Sequence, residues 1–434
     1  MAGPLVSFYG DDFTGAAENL AQFHAHGLRS RLYFEPADPK RVLAEAAELD
    51  VVGIAGVARS RAPAQMQGLL REAFTLFGRL GTRLNQYKIC STFDSAPEVG
   101  NFAVAVAEGL RIWPQALLPV LPAIPDFGRY TAFSNHFSRH RGEILRLDRN
   151  PALVEHPSTP MTESDLRLHL RALGFDGSSS IMLPELSASP EELAELLERR
   201  GQGAVPVVLD TIDNSQLVRV CSAIWILAQR RDLFCLAAQG LPQGIGGAIA
   251  AGLGREPRPT AFKTPGPGLV LSGSCSPHTA AQLDQAERAG WVMVELPVED
   301  LTGEQRDRAV QAVVPPLLEA LGAGRSIAIY TARGHATRTF EADRAPAVGA
   351  ALCQLFRVAV SRAGLRRAIF AGGDSSSFAM RHSGAYALEI AGSTGRQASH
   401  ICRLIADDEL DGVEVILKGG QAGSETFFLD PSQC

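Results

Sequence analysis

A chain of 434 residues is longer than a single hydrophobic core usually supports, so two domains are expected. With 46% hydrophobic and 20% charged residues it has the make-up of a folded globular protein, which excludes a disordered or fibrous chain. A formal net charge of −6 offers no overall attraction to nucleic acid or to an anionic membrane, and no run of about 18 apolar residues is present to span a bilayer, so neither partner is expected.

The opening MAGPLVSFYGDDFTG lacks the basic and then apolar stretches of a secretory leader, which points to a cytoplasmic protein. Its first β-rich run, Leu5 to Tyr9, meets Gly10, Asp11 and Asp12, and Thr14 and Gly15 then open an Ala-rich segment that favours helix up to Gly27. Further short apolar runs follow at Val51 to Val57, Tyr87 to Thr92, Ala116 to Leu121 and Val207 to Leu209. Alternating with helical-period segments, they predict an α/β fold with a mostly parallel sheet covered by helices.

Residues 254–268, GREPRPTAFKTPGPG, are dense in Pro and Gly and carry no hydrophobic period, as an interdomain linker does. This divides the chain into a domain over 1–253 and a second over 269–434. Beyond the linker the rhythm resumes, with strands expected at Leu269 to Ser272, Trp291 to Leu296, Ser326 to Thr331, Arg367 to Ala371 and Val413 to Leu417, and helices at Thr279 to Ala289 and Pro346 to Ala363. The seven cysteines are scattered without a CxxC, so neither a disulfide framework nor a zinc site is indicated.

In open α/β sheets, ligands bind outside the carboxyl ends of the strands, so the polar residues just after each expected strand are site candidates. In the first half these are Asp11 and Asp12, Arg59 with Ser60, the run Cys90 to Ser95 with Asp94, Gly100 with Asn101, and Arg129. Lys88, one of only four lysines, stands just before that run. Such a set suits a small polyhydroxy acid: Arg and Lys hold a carboxylate, Ser and Asn bond hydroxyls, and an Asp removes a hydroxyl proton. Asp11 or Asp12 could instead serve only as a helix cap, which accounts for one acid at the turn but less well for two.

In the second half the candidates are Gly273 to Ser276, Thr331 to Gly334, Gly372-Gly373-Asp374-Ser375 with two further serines, and Gly419-Gly420-Gln421-Ala422-Gly423. Loops of Gly and Ser ahead of a helix bring backbone amides close to phosphate oxygens. The chain has no GxxxxGK[ST], no GxGxxG after the first strand and no protein-kinase signature, which disfavours a P-loop NTPase and a standard dinucleotide-binding dehydrogenase. The pairs His24/His26 and His136/His140 are not read as metal ligands, the second because its i, i+4 spacing lacks the accompanying acid of a zincin pattern.

The motifs taken together resemble the four-carbon acid sugar kinases over nearly the whole chain and in the same order. They are DDFTGA from Asp11, KxCSTFDS from Lys88, GN at Gly100, a Pro-rich segment ending in Gly128-Arg129, HPxTPM from His156, GSCSxxTxxQ from Gly273, GGDS from Gly372 and LKGGxxG from Leu417. The resemblance implies two three-layer α/β domains, the first binding a sugar acid, the second binding ATP, and an active-site cleft between them. It further implies phosphoryl transfer to a hydroxyl of a tetronate or 3-oxo-tetronate, with Mg²⁺ as the accompanying ion, and is compatible with a homodimer.

By the same resemblance Asp12 and Asp94 are the catalytic candidates, with Asp12 preferred as general base, and Asp11, Arg59, Lys88, Ser95, Asn101 and Arg129 are substrate-binding. Ser274, Ser276, Gly372, Gly373, Asp374, Ser375, Gly419, Gly420, Gln421, Ala422 and Gly423 fall to the nucleotide. The chain departs from the family pattern at Glu18, at Val57-Ala58, within Ser134 to Phe137, at Ser375 and Ser377, and at Gln421-Ala422. A nucleotide-free sugar-acid isomerase or dehydratase, and a catalytically silent ligand sensor, are the alternative expectations.

Overall fold

The structure, a computed structural model, describes residues 3–156, 158–257, 266–301, 303–334, 344–393, 400–420 and 422–430. Contacts divide the chain into two compact units, Met1–Arg258 and Pro259–Cys434. Of the expected linker, residues 258–265 lie outside the described set. No helix among the described residues is long and apolar enough to cross a membrane.

The strands of the first unit are β1 (Val6–Gly10), β2 (Ser30–Phe34), β3 (Val51–Ala55), β4 (Leu84–Lys88), β5 (Leu118–Leu121), β6 (Arg129–Ala132), β7 (Asn135–His140), β8 (Glu143–Arg146), β9 (Ser179–Ile181), β10 (Pro206–Leu209) and β11 (Leu233–Ala237). Its main sheet runs β2-β3-β1-β4-β11-β5-β10-β9, with every neighbouring pair parallel. Strands β6, β7 and β8 form a separate antiparallel sheet. Every residue of β1, β3, β4 and β11 is buried, as a parallel sheet covered on both faces requires.

Register sets the rim. Gly10 pairs with both Ala55 and Lys88, and Lys88 also pairs with Ala237, so β3, β1, β4 and β11 all end at one level. The segments that follow them, beginning at Asp11, Gly56, Ile89 and Ala238, therefore leave the sheet together.

Strand β4 departs from expectation: it spans Leu84–Lys88 instead of 87–92, and the residues after Lys88 form a loop. Its sequence, LNQYK, hides the strand because its Asn, Gln and Lys side chains are buried and satisfied largely from far along the chain. Asn85 accepts from Ser7 Oγ at 2.6 Å and from Thr82 Oγ1 at 2.8 Å. Gln86 exchanges two amide hydrogen bonds with Asn19, at 2.9 and 3.1 Å, and donates to the Ala237 carbonyl at 2.9 Å. These bonds offset the cost of burying polar groups in a central strand.

The second unit contains β12 (Leu269–Ser272), β13 (Val292–Glu295), β14 (Ile327–Tyr330), β15 (Arg367–Ala371), β16 (Ala387–Ser393), β17 (His400–Ile405) and β18 (Glu414–Lys418). The run β13-β14-β12-β15-β18 is parallel, and β17 then β16 extend it antiparallel. This antiparallel extension was not expected from the sequence. Ser272 pairs with Ala371 and Ala371 with Lys418, so β12, β15 and β18 end level. Val270, Leu283, Ile369, Ile416, Phe427 and Phe428 form part of the core there. Each such large apolar side chain contributes about 1.5–3 kcal/mol on burial.

Candidate active site

At the rim of the first unit, Asp12 does two jobs. Its backbone is extended (φ −141°, ψ 159°) and it caps the Phe13–Ala25 helix, its Oδ2 accepting from the Gly15 amide at 3.1 Å and Thr14 Oγ1 at 2.8 Å. Its Oδ1 accepts from Arg59 Nη2 at 2.6 Å and from Lys88 Nζ at 3.1 Å. The capping role foreseen as the alternative for this residue is thus present, alongside contacts to both cations.

Arg59 is brought in by a short turn, Ala58–Ser60, whose Arg59 amide donates to the Asp11 carbonyl at 3.0 Å. Its guanidinium also takes Asp11 bidentately, Nε to Oδ2 at 3.0 Å and Nη2 to Oδ1 at 2.7 Å. Lys88 Nζ lies 3.8 Å from Asp11 Oδ1. Gly15 makes room for this: a Cβ there would fall 1.9 Å from Lys88 Nζ.

Two acids and two bases cancel, and their environments pull the acids apart. Burial dominates for Asp11 and lifts its carboxyl above the usual range, against the pull of Arg59 and Lys88. Burial also opposes ionisation of Asp12, but Arg59, Lys88, Thr14 and the Gly15 amide outweigh it and hold that carboxyl far below the ordinary range. Asp12 is therefore a weak base whose two oxygens already accept four hydrogen bonds.

Asp94 differs. It sits in the loop after β4, where Phe93 adopts φ 63°, and its Oδ1 accepts from Thr92 Oγ1 at 2.7 Å, while Oδ2 accepts no hydrogen bond from a described residue. Cys90 Sγ lies 2.9 Å from the same Thr92 hydroxyl, and burial, with Asp94 beside it, pushes the Cys90 thiol up to about 11. Arg129, at the start of β6, is a neighbour of both: burial lowers its pKa while Cys90 and Asp94 counteract. Among the described residues its Nη1 donates to the carbonyls of Phe127 and Gly128, at 3.1 and 3.3 Å, and its buried Nε has no partner.

The remaining first-half candidates are used locally. Ser95 Oγ donates to the Gly100 carbonyl at 2.9 Å. Asn101 caps the Phe102–Ile112 helix and spends its amide on Pro97 and Leu173 carbonyls, both at 3.2 Å. Asp11, Asp12, Arg59 and Lys88 are brought into one cluster, Arg129 feels the charge of Asp94 without an ion pair between them, and Ser95 and Asn101 hold loops.

Two residues were missed. His136, on β7, is fully buried, with Nδ1 2.8 Å from Thr131 Oγ1 and Nε2 2.9 Å from the Ser91 carbonyl. A carbonyl can only accept, so Nε2 carries the proton, and burial pushes the pKa down to about 4, which keeps the ring neutral. It ties the β6–β7 hairpin to the loop that holds Asp94. Gln239 follows β11 and is buried, its Oε1 without a partner among the described residues. The apolar run Leu233–Ala237 ahead of AQG was the signal for it, and that strand was not foreseen.

In the second unit three loops converge at the level ends of β12, β15 and β18. A Cβ on Gly273 would lie 2.5 Å from Ser375 Cβ, one on Gly372 3.1 Å from the Ser274 amide, and one on Gly420 3.1 Å from Ser274 Oγ. Gly372, at φ 116°, holds a conformation that favours glycine and opens the Gly373–His382 helix, with Asp374 and Ser375 in its first turn. The first amides of a helix have no intrahelical partner and favour an anion.

Ser276 caps the Pro277–Arg288 helix, whose side chains fix the last loop: Thr279 Oγ1 donates to the Gly420 carbonyl at 3.0 Å, His278 Nε2 lies 2.9 Å from the Gly423 carbonyl, and Gln282 Nε2 reaches the Ala422 carbonyl at 3.1 Å. Gln421 lies outside the described residues. Arg333, from the Thr331–Gly334 candidate, is turned away to Asp284 at 2.7 Å and to Glu287. Lys418, noted from the sequence only as preceding the glycines, lies at the centre of this junction.

Residues 6–245 match the family described as a sugar-binding N-terminal domain, and residues 269–428 that described as a nucleotide-binding C-terminal domain. The chain is 34% identical to the 3-oxo-isoapionate kinase of Paraburkholderia graminis, over 98% of this chain and 94% of that one. It is 31% identical to the 3-oxo-tetronate kinase of Methylobacterium radiotolerans, over 84% of each. Solved structures from Salmonella typhimurium LT2 (TM-score 0.77, 21% identity, 98% of both chains) and Haemophilus influenzae (TM-score 0.74, 20% identity, 98% and 99%) share the fold.

Proposed function

Because the chain belongs to the four-carbon acid sugar kinase family, matching both of its domains in order, we propose that it is an ATP-dependent kinase whose acceptor is a small 3-oxo sugar acid, with 3-oxo-isoapionate the first choice. The relatives named for 3-oxo-isoapionate, 3-oxo-tetronate and D-threonate support phosphoryl transfer to an alcohol of such an acid. The preference among acceptors rests on the 34% identity that spans nearly both chains. A reaction supplied by ATP belongs in the cytoplasm.

The observation that carries the acceptor site is Arg129, half-buried, whose Nε is buried without a hydrogen-bond partner among the described residues and whose guanidinium feels the charge of Asp94. Arg59 and Lys88 are neutralised by Asp11 and Asp12, so the net positive charge for a substrate carboxylate comes from Arg129. Asp94, with an oxygen to spare, then accepts the proton of the acceptor hydroxyl as that oxygen bonds to the γ-phosphorus and the bond to the β-phosphate oxygen breaks. This moves the base from Asp12 to Asp94. The Asp11–Asp12–Arg59–Lys88 cluster keeps the rim rigid, and Arg59, a quarter exposed, faces acceptor hydroxyls.

The loops around Gly273, Gly372 and Gly420 would take the nucleotide phosphates. Among the described residues there is no group of three or more His, Cys, Asp or Glu that could hold a metal. Mg²⁺ needs only one or two carboxylates beside phosphates and water, so it fits as part of MgATP, whose charge it partly neutralises.

The test is ADP release from MgATP with 3-oxo-isoapionate, 3-oxo-tetronate and D-threonate in parallel. The highest kcat/KM is expected for 3-oxo-isoapionate. ADP release with no acceptor of the panel, despite nucleotide binding, would leave a ligand sensor as the better account.

A further inference from the structure

Lys418 ends β18 and is completely buried, 0% exposed. Its Nζ donates to Thr279 Oγ1 at 3.2 Å and to the Gly419 carbonyl at 3.1 Å, and stands 5.8 Å from the centre of the Phe428 ring. None of these partners carries a negative charge. Burial shifts its titration, pulling its pKa down to about 8, and no acid among the described residues pulls it back.

Among the described residues, the nearest charged groups that the structure pairs are engaged elsewhere. Glu414, at the far end of β18, pairs with Arg367 at 2.6 Å and Arg403 at 3.4 Å. Asp284 and Glu287 of the Pro277–Arg288 helix take Arg333, and His278 faces the Gly423 carbonyl. An ammonium buried without a counter-charge costs folding stability, and a buried charge of this kind at a ligand site is made good when an anionic ligand binds.

The wiring points in one direction. Thr279 Oγ1, which receives the Lys418 proton, also receives Ser274 Oγ at 3.1 Å and donates to the Gly420 carbonyl at 3.0 Å. Ser274 Oγ in turn accepts from the Ser276 amide at 3.3 Å. One ammonium therefore braces the loop after β12 and the loop after β18 through a single hydroxyl.

We propose that Lys418 is a positioning residue of the nucleotide site, whose uncompensated positive charge favours a nucleoside di- or triphosphate over the bare nucleoside while its hydrogen bonds hold the Gly273–Ser276 and Gly419–Gly423 loops in register. The inference rests on those loops being the nucleotide site. Because Lys418 is buried behind them, it acts through Thr279 and the Gly419–Gly420 backbone and through its field, which the low-dielectric surroundings leave weakly screened.

The experiment is calorimetric titration of the full-length chain with ADP and with adenosine, for wild type, Lys418→Met, Lys418→Gln and Lys418→Arg, alongside the ligand-free Tm. Lys418→Met is expected to weaken ADP about tenfold or more, to leave adenosine within about twofold, and to keep or raise the ligand-free Tm. Lys418→Gln, which keeps a donor without the charge, should lose ADP similarly, and Lys418→Arg should recover part of it. Equal losses for ADP and adenosine with a lowered Tm would mean a packing role and overturn the inference, as would unchanged ADP binding in Lys418→Met. Wild type failing to bind ADP would instead overturn the nucleotide assignment of the loops, and this inference with it.

Discussion

Arg59 grips Asp11 with two near-parallel hydrogen bonds, at 3.0 and 2.7 Å, and Asp11 is 1% exposed. A pair of this kind is costly to break from one side because the surviving charge stays buried. Asp11→Asn should cost about 3 kcal/mol of stability, near the lower end for a broken buried pair since Arg59 keeps Asp12. Urea unfolding of the ligand-free protein measures it, and a loss below about 0.5 kcal/mol would show the pair to be dispensable.

Asp94→Asn and Asp12→Asn should part company. With the base at Asp94, its amide variant loses roughly 10²–10⁴-fold in kcat at nearly unchanged Tm. Asp12→Asn removes charge from a helix cap and from two cation contacts, so it should cost about 1–3 kcal/mol of stability with the smaller kcat loss. The reverse pattern in steady-state kinetics and thermal melts would return the base to Asp12.

Arg129→Met should raise the acceptor KM roughly 10–100-fold, the worth of a charge-assisted hydrogen bond pair, and change kcat less. A methyl ester of the acceptor, lacking the carboxylate charge, should bind wild type and variant about equally. Acceptor KM unaffected by the substitution would remove Arg129 from the site.

Gly15→Ala inverts the usual expectation. In an ordinary helix the change favours folding by about 1 kcal/mol. Here the new methyl would meet Lys88 Nζ and Asp12 Oδ1, 1.9 and 2.3 Å from the Cβ position, so the cation is displaced from the acids. Activity should fall at least about tenfold, with no gain in Tm.

The pH dependence of stability should reveal Lys418. Its folded pKa of about 8 lies below the ordinary 10.5, so the folded state binds fewer protons than the unfolded state between those values. Stability therefore rises with pH across that window, and the penalty is fully present below about pH 8. The wild type should trail Lys418→Met by up to about 3 kcal/mol at neutral pH, and the gap should close towards pH 10.5 in denaturant titrations. A gap independent of pH would mean that the ammonium is not what destabilises.

The parallel architecture was legible because buried strands such as Val51–Ala55 (VVGIA) and Leu269–Ser272 (LVLS) are almost wholly apolar. Strand β4 was not, because its Asn85, Gln86 and Lys88 are satisfied by Ser7, Asn19 and Asp12, partners 67 to 78 residues away. The strand-end rule found Asp11, Asp12 and Arg59, since carboxyl ends gather wherever the strands lie in register. It could not tell that Asp12 is saturated with donors, or that Ser95 and Asn101 serve their own loop, because both depend on which hydrogen bonds the folded backbone leaves open. Lys418 was passed over for a related reason: its lysine precedes the glycines, and only the fold shows that no acid accompanies it.

The reciprocal amide pair between Asn19 and Gln86 has a consequence for how this protein can diverge. Changing Gln86 alone leaves both ends of the buried Asn19 amide unanswered, and changing Asn19 alone strips the buried Gln86 Oε1 of its donor, whereas both changed together to apolar residues could be tolerated. The two positions are thus bound to a joint history: descendants should retain both amides or neither, because any route between those endpoints crosses a less fit intermediate.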